Sequence, residues 1–209
     1  MLRKVKFRFM KKFPARNYLL LFLCFLPLSC SGPAPVELAG ENIICFGDSL
    51  TYGTGAPRHR SYPAQLSKMI GRPAINAGVP GDTTARALER LQEDVLDQSP
   101  RIVLITLGGN DLKNGIRNDA AFKNLKAIIE AVQAKGGLVI LGGVKFIVLD
   151  KGYGNMYKKL AKETGIILIP NVLKGLIGKD KYMSDPIHPN GEGYTIMAER
   201  FYEAIEPHL

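Results

Sequence analysis

A serine, a histidine and an aspartate in this chain could together perform nucleophilic acyl transfer. Ser49 follows an apolar run that is typical of a buried strand, and a serine hydroxyl attacks a carbonyl only when a base removes its proton. Of the three histidines, His188 is the best candidate for that base, because His59 lies in a basic loop and His208 is next to the C-terminus. Asp185 is three residues before His188, a spacing from which its carboxylate can hold the imidazole and fix its tautomer.

The carbonyl under attack becomes an oxyanion, and the polar loops offer donors for it. The backbone N–H groups of Ser49 and Gly81 are two candidates, since Gly81 has no side chain to keep a substrate away from the backbone. The side-chain amide of Asn110, which follows two glycines at a strand end, is a third. Losing one such donor typically lowers turnover ~10²–10³-fold. These residues predict a catalytic serine beside an oxyanion hole.

Alternating strands and helices must bring these distant residues together. Short apolar runs predict strands over Asn42–Phe46, Ala74–Asn76, Ile102–Leu107, Leu138–Leu141 and Ile166–Ile169. Helical patterns predict helices over Tyr62–Ile70, Thr84–Asp97, Asp119–Lys135, Asn155–Thr164 and Asn190–Ile205. This alternation indicates one parallel sheet with helices on both faces. The polar loops that follow the strands then meet at one edge of the sheet.

Four short blocks of the sequence occur in the order of a known family. They are Gly47-Asp48-Ser49-Leu50, Pro80-Gly81-Asp82-Thr83, Gly108-Gly109-Asn110-Asp111 and Asp185-Pro186-Ile187-His188-Pro189-Asn190. Together they resemble the SGNH hydrolases, also called GDSL esterases and lipases, and within them the bacterial acyl-CoA thioesterase, lysophospholipase and arylesterase branch. The resemblance runs from about Asn42 to Ala204. Thr51 and Pro186 depart from that branch, which often has serine and glycine there. Because Pro186 lies between Asp185 and His188, the contact between these two side chains has to be tested in the structure.

The resemblance implies a fold and a set of site residues. The fold would be a three-layer α/β/α sandwich with a central parallel sheet of about five strands, as in flavodoxin. Ser49 would be the catalytic nucleophile, with His188 and Asp185 as its catalytic partners. The oxyanion hole would consist of Ser49, Gly81 and Asn110. The resemblance implies no metal ion and no cofactor.

The positive charge of the chain is concentrated at its N-terminus. Seven of the 28 lysines and arginines lie there and no acidic residue precedes Glu37, so residues 30–209 carry 21 basic and 19 acidic side chains, a net charge of +2. We therefore expect no nucleic-acid partner. The apolar stretch Tyr18–Leu28 is too short to span ~30 Å of hydrocarbon as a stable helix. Residues 1–29 are typical of a lipoprotein-type signal peptide, with Met10 as an alternative start.

Cys30 ends this leader in a sequence that resembles a bacterial lipobox, which predicts that Cys30 is lipidated and becomes the first mature residue. Pro27 stands where that pattern usually has an aliphatic residue, so plain secretion and an uncleaved amphipathic anchor stay open. Ser31 resembles an outer-membrane sorting residue. We therefore expect an exported, membrane-anchored lipoprotein, on the periplasmic face of the outer membrane if the source is Gram-negative. Residues 30–40 would form a tether and residues 41–209 the hydrolase domain.

Other motifs favour structure over chemistry or leave two interpretations open. The glycine-bounded segment Gly47–Gly53 lacks the lysine and spacing of a phosphate-binding loop. The aspartate and histidine of the last block have no third residue at metal-ligand spacing. Arg58–Arg60 is either a solvated loop or a contact for an anionic head group or carboxylate. Phe146–Leu149 is either core or the wall of a pocket for an acyl chain. Cys45, within the first strand, is expected to be a buried apolar side chain.

We expect a serine esterase or lipase that hydrolyses carboxylic esters or thioesters through an acyl-enzyme on Ser49. Small-molecule substrates of this kind include lysophospholipids, acyl esters and aryl esters. Two alternatives stay open: removal of O-acetyl groups from polysaccharide or peptidoglycan, and a carbohydrate-binding module that keeps the fold without turnover. The sequence leaves the acyl chain length and the oligomeric state open.

Overall fold

The computed structural model describes residues 38–145 and 152–209, in which five strands and seven α-helices are present. The strands are β1 (Asn42–Gly47), β2 (Ala74–Gly78), β3 (Pro100–Thr106), β4 (Leu138–Gly142) and β5 (Ile167–Ile169). The helices are α1 (Ser49–Tyr52), α2 (Tyr62–Ile70), α3 (Thr84–Asp94), α4 (Gly109–Lys113), α5 (Asn118–Ala134), α6 (Tyr153–Thr164) and α7 (Gly191–Ile205). Within these two ranges, no helix is long and apolar enough to cross a membrane. The predicted leader, Cys30, most of the tether and Phe146–Leu149 lie outside the described residues.

The sheet is parallel throughout and has the strand order β2-β1-β3-β4-β5. The chain starts in β1, moves outward to β2, and then crosses back over β1 to β3. The direction of winding therefore changes between β1 and β3, where the carboxyl ends of two neighbouring strands open a crevice. Ser49 and Asn110 follow these two strands and so lie at that crevice.

The three central strands β1, β3 and β4 are buried on both faces because they are apolar at nearly every position, whereas the edge strands β2 and β5 are partly exposed. Ile44 and Phe46 of β1 lie in a core with α3, α5 and α6, whereas Ile43 and Cys45 lie in a second core with α2 and α7. Cys45 is fully buried, and burial raises the pKa of its thiol to about 12. The predicted three-layer α/β/α sandwich with a five-stranded parallel sheet is therefore confirmed.

The prediction of one helix over Thr84–Asp97 is wrong at its C-terminal end. Helix α3 ends at Asp94, Val95 has a φ of −131°, and a 3₁₀ turn follows at Leu96–Gln98. The apolar periodicity continues past the break because Val95 stays buried in the core beneath α3. The other predicted strands and helices differ from the structure by at most two residues at either end.

Two short helices that the sequence pattern does not predict follow β1 and β3. They are α1, which begins with Ser49, and α4, which contains Asn110. Each spans little more than one turn, which is too short to show helical periodicity. Local residues determine them instead: α1 ends at Gly53 with a φ of +97°, and α4 begins after Gly108 with a φ of +108°. Both helices turn the chain sharply at the carboxyl edge of the sheet.

Candidate active site

Ser49 is the first residue of α1, immediately beyond the turn that ends β1. The turn needs a glycine at Gly47, because a Cβ atom there would collide with the side chain of Thr51 and the backbone of β3. Asp48 then caps the helix, and its carboxylate accepts the backbone N–H of Leu50 at 3.0 Å. The glycine turn and the cap together place the half-buried Ser49 at the end of a buried strand.

His188 and Asp185 lie in the loop between β5 and α7. Asp185 Oδ1 accepts the backbone N–H groups of Ile187 and His188, each at 2.8 Å, which closes a tight turn. Asn190 caps α7 by accepting two N–H groups of its first turn, at 3.0 and 3.1 Å. Local hydrogen bonds at both ends therefore fix the backbone on which the histidine is carried.

The fold brings Ser49, His188 and Asp185 into one hydrogen-bonded series. His188 Nε2 is 3.0 Å from Ser49 Oγ, although the two residues are 139 positions apart. His188 Nδ1 is 2.6 Å from Asp185 Oδ2, so Pro186 leaves this contact intact. In the neutral ring, a proton on Nδ1 donates to the carboxylate and leaves Nε2 to accept the serine hydroxyl. The three predicted residues are thus arranged as a nucleophile, a base and a group that orients the base.

Asp185 keeps its negative charge at this position. Partial burial raises its pKa, but hydrogen bonds from the His188 ring and from two backbone N–H groups outweigh that effect, so the pKa lies below its ordinary value. The side chain is 43% exposed, compared with 16% for His188. An ionised carboxylate facing Nδ1 stabilises the imidazolium that forms when the ring takes up a proton.

The predicted oxyanion donors lie just beyond the ends of β1, β2 and β3, with Ser49 in α1, Gly81 in a loop and Asn110 in α4. Asn110 Nδ2 donates to the backbone carbonyl of Asp82 at 2.9 Å and is 3.4 Å from Asp48 Oδ2. Gly81 has a φ of +81°, and a Cβ there would meet no heavy atom within 4 Å. The N–H of Ser49 belongs to the first turn of α1, where a helix supplies no acceptor of its own. Asn110 therefore holds the loop that presents Gly81 to open space.

Three buried carboxyl groups lie behind these loops. Burial raises the pKa of Asp48 to about 7, the N–H of Leu50 opposes that shift, and the charges of Asp82 and Asp111 add to it. Asp82 is paired with an arginine, whereas Asp111 accepts hydrogen bonds from the backbone N–H and the hydroxyl of Thr84. Each carboxyl group thus ties its loop to a neighbouring element.

Two residues that contact this site are missing from the sequence-based prediction. Gly55 has a φ of +94°, and a Cβ there would lie 2.8 Å from the Pro189 carbonyl oxygen and 3.2 Å from His188 Cβ, so the loop after α1 packs directly on the histidine loop. Arg90 binds Asp82 and the carbonyls that end two strands. The spacing of two glycines around Thr54 could have indicated Gly55. No sequence pattern marks Arg90, because an arginine on a helix normally faces solvent.

Basic side chains border a surface trough beside α1. The guanidinium carbon of Arg58 is 5.4 Å from the ring centre of Tyr52, one helical turn after Ser49. The trough has a volume of about 670 Å³, and Lys68 and Arg72 also line it. Among the residues that the structure describes, none of these three basic side chains forms a salt bridge. Both interpretations of the basic loop therefore stay open.

A parallel α/β sheet with a serine, a histidine and an aspartate in hydrogen-bonded series at its carboxyl edge has the geometry of a hydrolase that uses a serine nucleophile. A sequence model of the GDSL-like Lipase/Acylhydrolase family matches residues 45–196. The chain therefore belongs to this family, the SGNH hydrolases, and is an ester-hydrolysing enzyme.

Individual relatives agree with this assignment. The chain is 30% identical over 202 residues to an arylesterase of Vibrio mimicus, covering 91% of this chain and 97% of that protein. It is 28% identical over 177 residues to the thioesterase 1/protease 1/lysophospholipase L1 of Escherichia coli strain K12, covering 81% and 85% of the two chains. The crystal structure of TesA matches with a TM-score of 0.76 and 26% identity, over 81% of this chain and all of that one. The predicted family, fold and enzyme class are confirmed, and neither alternative function is favoured.

Proposed function

We propose that this enzyme hydrolyses carboxylic esters and thioesters through an acyl-enzyme formed on Ser49. One observation carries the proposal: Ser49 Oγ, both ring nitrogens of His188 and a carboxylate oxygen of Asp185 form a continuous series, with separations of 3.0 and 2.6 Å. A serine acquires nucleophilic strength from such a series, because its proton has an acceptor within hydrogen-bond reach.

The first half of the reaction forms the acyl-enzyme. Ser49 Oγ attacks the carbonyl carbon while its proton passes to His188 Nε2, and the π electron pair moves onto the carbonyl oxygen. The resulting imidazolium is stabilised by Asp185. When the tetrahedral intermediate collapses, the bond to the alcohol or thiol breaks and His188 returns the proton to that leaving group.

Three donors are proposed to stabilise the oxyanion: the N–H of Ser49, the N–H of Gly81 and the Nδ2 group of Asn110. The link from Asn110 to the Asp82 carbonyl supports this role, since it fixes the amide relative to the neighbouring Gly81. Donors fixed before the reaction stabilise developing charge without having to reorganise.

The second half of the reaction regenerates the enzyme. His188 removes a proton from a water molecule, which attacks the acyl carbon and displaces Ser49 Oγ through a second oxyanion. The serine recovers its proton from the ring and the carboxylic acid departs. Every proton in this cycle passes through one nitrogen atom, His188 Nε2.

The substrates we propose are acyl esters, aryl esters and lysophospholipids, with thioesters turned over by the same steps. The names of two relatives support this class: one is an arylesterase and the other a thioesterase 1/protease 1/lysophospholipase L1.

Hydrolysis of p-nitrophenyl butyrate by a Ser49→Ala variant tests the nucleophile. The variant should lose turnover by at least ~10⁴-fold while keeping its melting temperature, since the hydroxyl is needed for acyl-enzyme formation and not for packing. A Thr54→Ala variant, altered in the loop just after α1, is the matched control and should stay active. Undiminished hydrolysis by S49A would refute the assignment.

We also propose that the enzyme is exported and is anchored to a membrane through a lipid on Cys30, with residues 30–40 as a tether. The lipobox-like sequence around Cys30 supports this proposal. A Cys30→Ala variant, expressed in the host, should move from the membrane fraction to the soluble exported fraction. Cys45→Ala is the matched control, because that thiol is buried in the core. Unchanged partitioning of C30A would overturn the anchor.

A further inference from the structure

Arg90 of α3 has its guanidinium group enclosed beneath the loops of the site. Its Nε donates to the carboxylate of Asp82 at 2.6 Å, and Nη1 donates to Asp94 at 2.5 Å. The guanidinium carbon lies 4.4 Å from the ring centre of Phe46 in β1. The side chain is 18% exposed and its charge is matched by two carboxylates. Such a paired and packed cation has one fixed orientation.

The same guanidinium group binds the ends of two strands. Its Nη2 donates to the carbonyl of Gly47 and its Nη1 to the carbonyl of Ala77, each at 3.0 Å. Gly47 ends β1 two residues before Ser49, and Ala77 lies in β2 just before the loop that contains Gly81. One planar side chain therefore fixes the separation of the two strand ends from which these residues follow.

A further link runs through Asp82 to Asn110. Arg90 binds the carboxylate of Asp82, while the backbone carbonyl of the same residue accepts Asn110 Nδ2 at 2.9 Å. Gly81 directly precedes Asp82. Each of the three proposed oxyanion donors is thus attached to a group that Arg90 holds, through at most two residues or one hydrogen bond.

We infer that Arg90 is a positioning residue that sets the mutual spacing of the three oxyanion donors. The inference rests on the proposed function, which names those donors. Arg90 acts through the backbone of Gly47 and through Asp82, so its contribution is geometric. A misplacement of about 1 Å far from the reacting atoms can lower turnover ~10²-fold. Lysine cannot substitute, because one ammonium group lacks the planar fork that binds two carboxylates and two carbonyls together.

The test compares Arg90→Lys with the wild-type, full-length enzyme, below the melting temperature of each. Two quantities are measured: the steady-state constants with p-nitrophenyl butyrate, and the Ki of an alkyl trifluoromethyl ketone. Ser49 Oγ adds to the carbonyl carbon of the ketone, its proton passes to His188, and the carbonyl oxygen becomes an oxyanion, so the affinity of the ketone depends on the donors. R90K should lower kcat by about 10- to 100-fold, raise the ketone Ki by a similar factor and leave KM within about threefold.

Arg86 supplies the matched control. It approaches the other carboxylate oxygen of Asp82 at 3.6 Å, but its side chain is 62% exposed and it binds neither strand end. Arg86→Met should leave kcat and the ketone Ki within about twofold of wild type, since exposed ion pairs contribute little. A second variant, Asp82→Asn, keeps the backbone carbonyl that binds Asn110 but weakens the ion pair between residue 82 and Arg90. It should shift kcat and Ki together in the same direction as R90K, by a smaller factor.

The inference is overturned if folded R90K or D82N keeps the wild-type kcat and Ki, or if only the melting temperature falls. It is also overturned if R86M changes kcat and Ki as much as R90K does. Failure of the proposed function would look different, because the ketone would then fail to inhibit the wild-type enzyme and S49A would still hydrolyse the ester.

Discussion

The site has an oxyanion side, formed by the Ser49 N–H, Gly81 and Asn110, and a base side, formed by His188 and Asp185. Different kinds of interaction hold the two sides in place. On the oxyanion side, Asp82 is 2% exposed and is paired with Arg90, which is 18% exposed, so the loop after β2 is fixed by a largely buried pair of charges. On the base side, Asp185 is 43% exposed and is fixed by N–H groups of its own turn. The hydrogen bonds of Arg90 join separate elements of the fold, whereas the N–H groups that fix Asp185 lie within three residues of it.

The difference corresponds to what each side must do. Oxyanion donors act best when they do not move during the reaction. A largely buried ion pair holds them rigidly, since removing either partner would leave the charge of the other uncompensated. His188 instead takes and returns a proton twice per cycle, so its hydrogen bonds must exchange. A short loop braced by its own backbone keeps the ring in reach of Ser49 and still permits that exchange.

The largest effect is expected from the base side. Replacing His188 with alanine removes the proton acceptor that lies 3.0 Å from Ser49 Oγ, and kcat/KM for p-nitrophenyl butyrate should fall about 10⁴-fold. Asp185→Asn should cost a similar factor, about 10⁴-fold, because an amide facing Nδ1 can donate to it, which favours the tautomer with its proton on Nε2 and leaves Ser49 Oγ without an acceptor. A loss below about tenfold in D185N would contradict the view that Asp185 sets the tautomer of His188.

The second largest effect is expected from the loss of a donor on the oxyanion side. Asn110→Ala removes one proposed donor and the link to the Asp82 carbonyl, so kcat should fall about 10²–10³-fold with little change in KM. The control is Asn124→Ala, which removes another partly buried amide, one that donates to Thr84 Oγ1 at 3.2 Å. N124A should stay within about threefold of wild type, because it touches no proposed donor. An unchanged kcat in N110A would remove Asn110 from the oxyanion hole.

The smallest effect concerns stability and pH on the oxyanion side. The pKa of Asp48 is raised from 3.8 to about 7 in the folded protein, chiefly by burial. Between these values the folded state keeps a proton that the unfolded state releases. The free energy of unfolding of the wild type should therefore fall as the pH rises, by at most ~1.4 kcal/mol per pH unit. Asp48→Asn lacks this proton, so D48N should gain stability relative to wild type from pH 4 to pH 7 and no more above that.

Urea unfolding at several pH values measures this difference. Asp119→Asn is the control, because the exposed Asp119 has a pKa that a hydrogen bond from Arg117 lowers. Its contribution to stability is lost only as the pH falls below the ordinary value for aspartate, so D119N should run parallel to wild type from pH 4 to pH 7. A D48N difference that stays flat across that interval would show that Asp48 is ionised in the fold.

The sequence predicts one side of the site better than the other, for a physical reason. Ser49, His188 and Asp185, which the structure brings together, could be proposed from the sequence because each stands in a short block that follows a strand or precedes a helix. The role of Arg90 could not, since it depends on carbonyls that come from other elements of the fold. The burial of Asp48 escaped prediction in the same way, because three loops have to close over it.

Among the strands and helices too, some could be predicted from the sequence and others could not. The parallel sheet with helices on both faces was predictable from the alternation of apolar strands with amphipathic helices, because such strands are joined by right-handed crossovers. Helices α1 and α4 were not, since a single turn shows no periodicity and depends on caps such as Asp48 and on Gly108. The break after Asp94 was hidden because Val95 remains in the core.

Covalent labelling with a fluorophosphonate tests the central claim most directly. We predict that the wild-type enzyme gains the mass of one phosphonyl group and that the modified peptide carries the label on Ser49. S49A should gain none, and H188A should react far more slowly because the hydroxyl has lost its base. Labelling of S49A at the wild-type rate, or an unlabelled wild-type enzyme that still hydrolyses esters, would contradict the account.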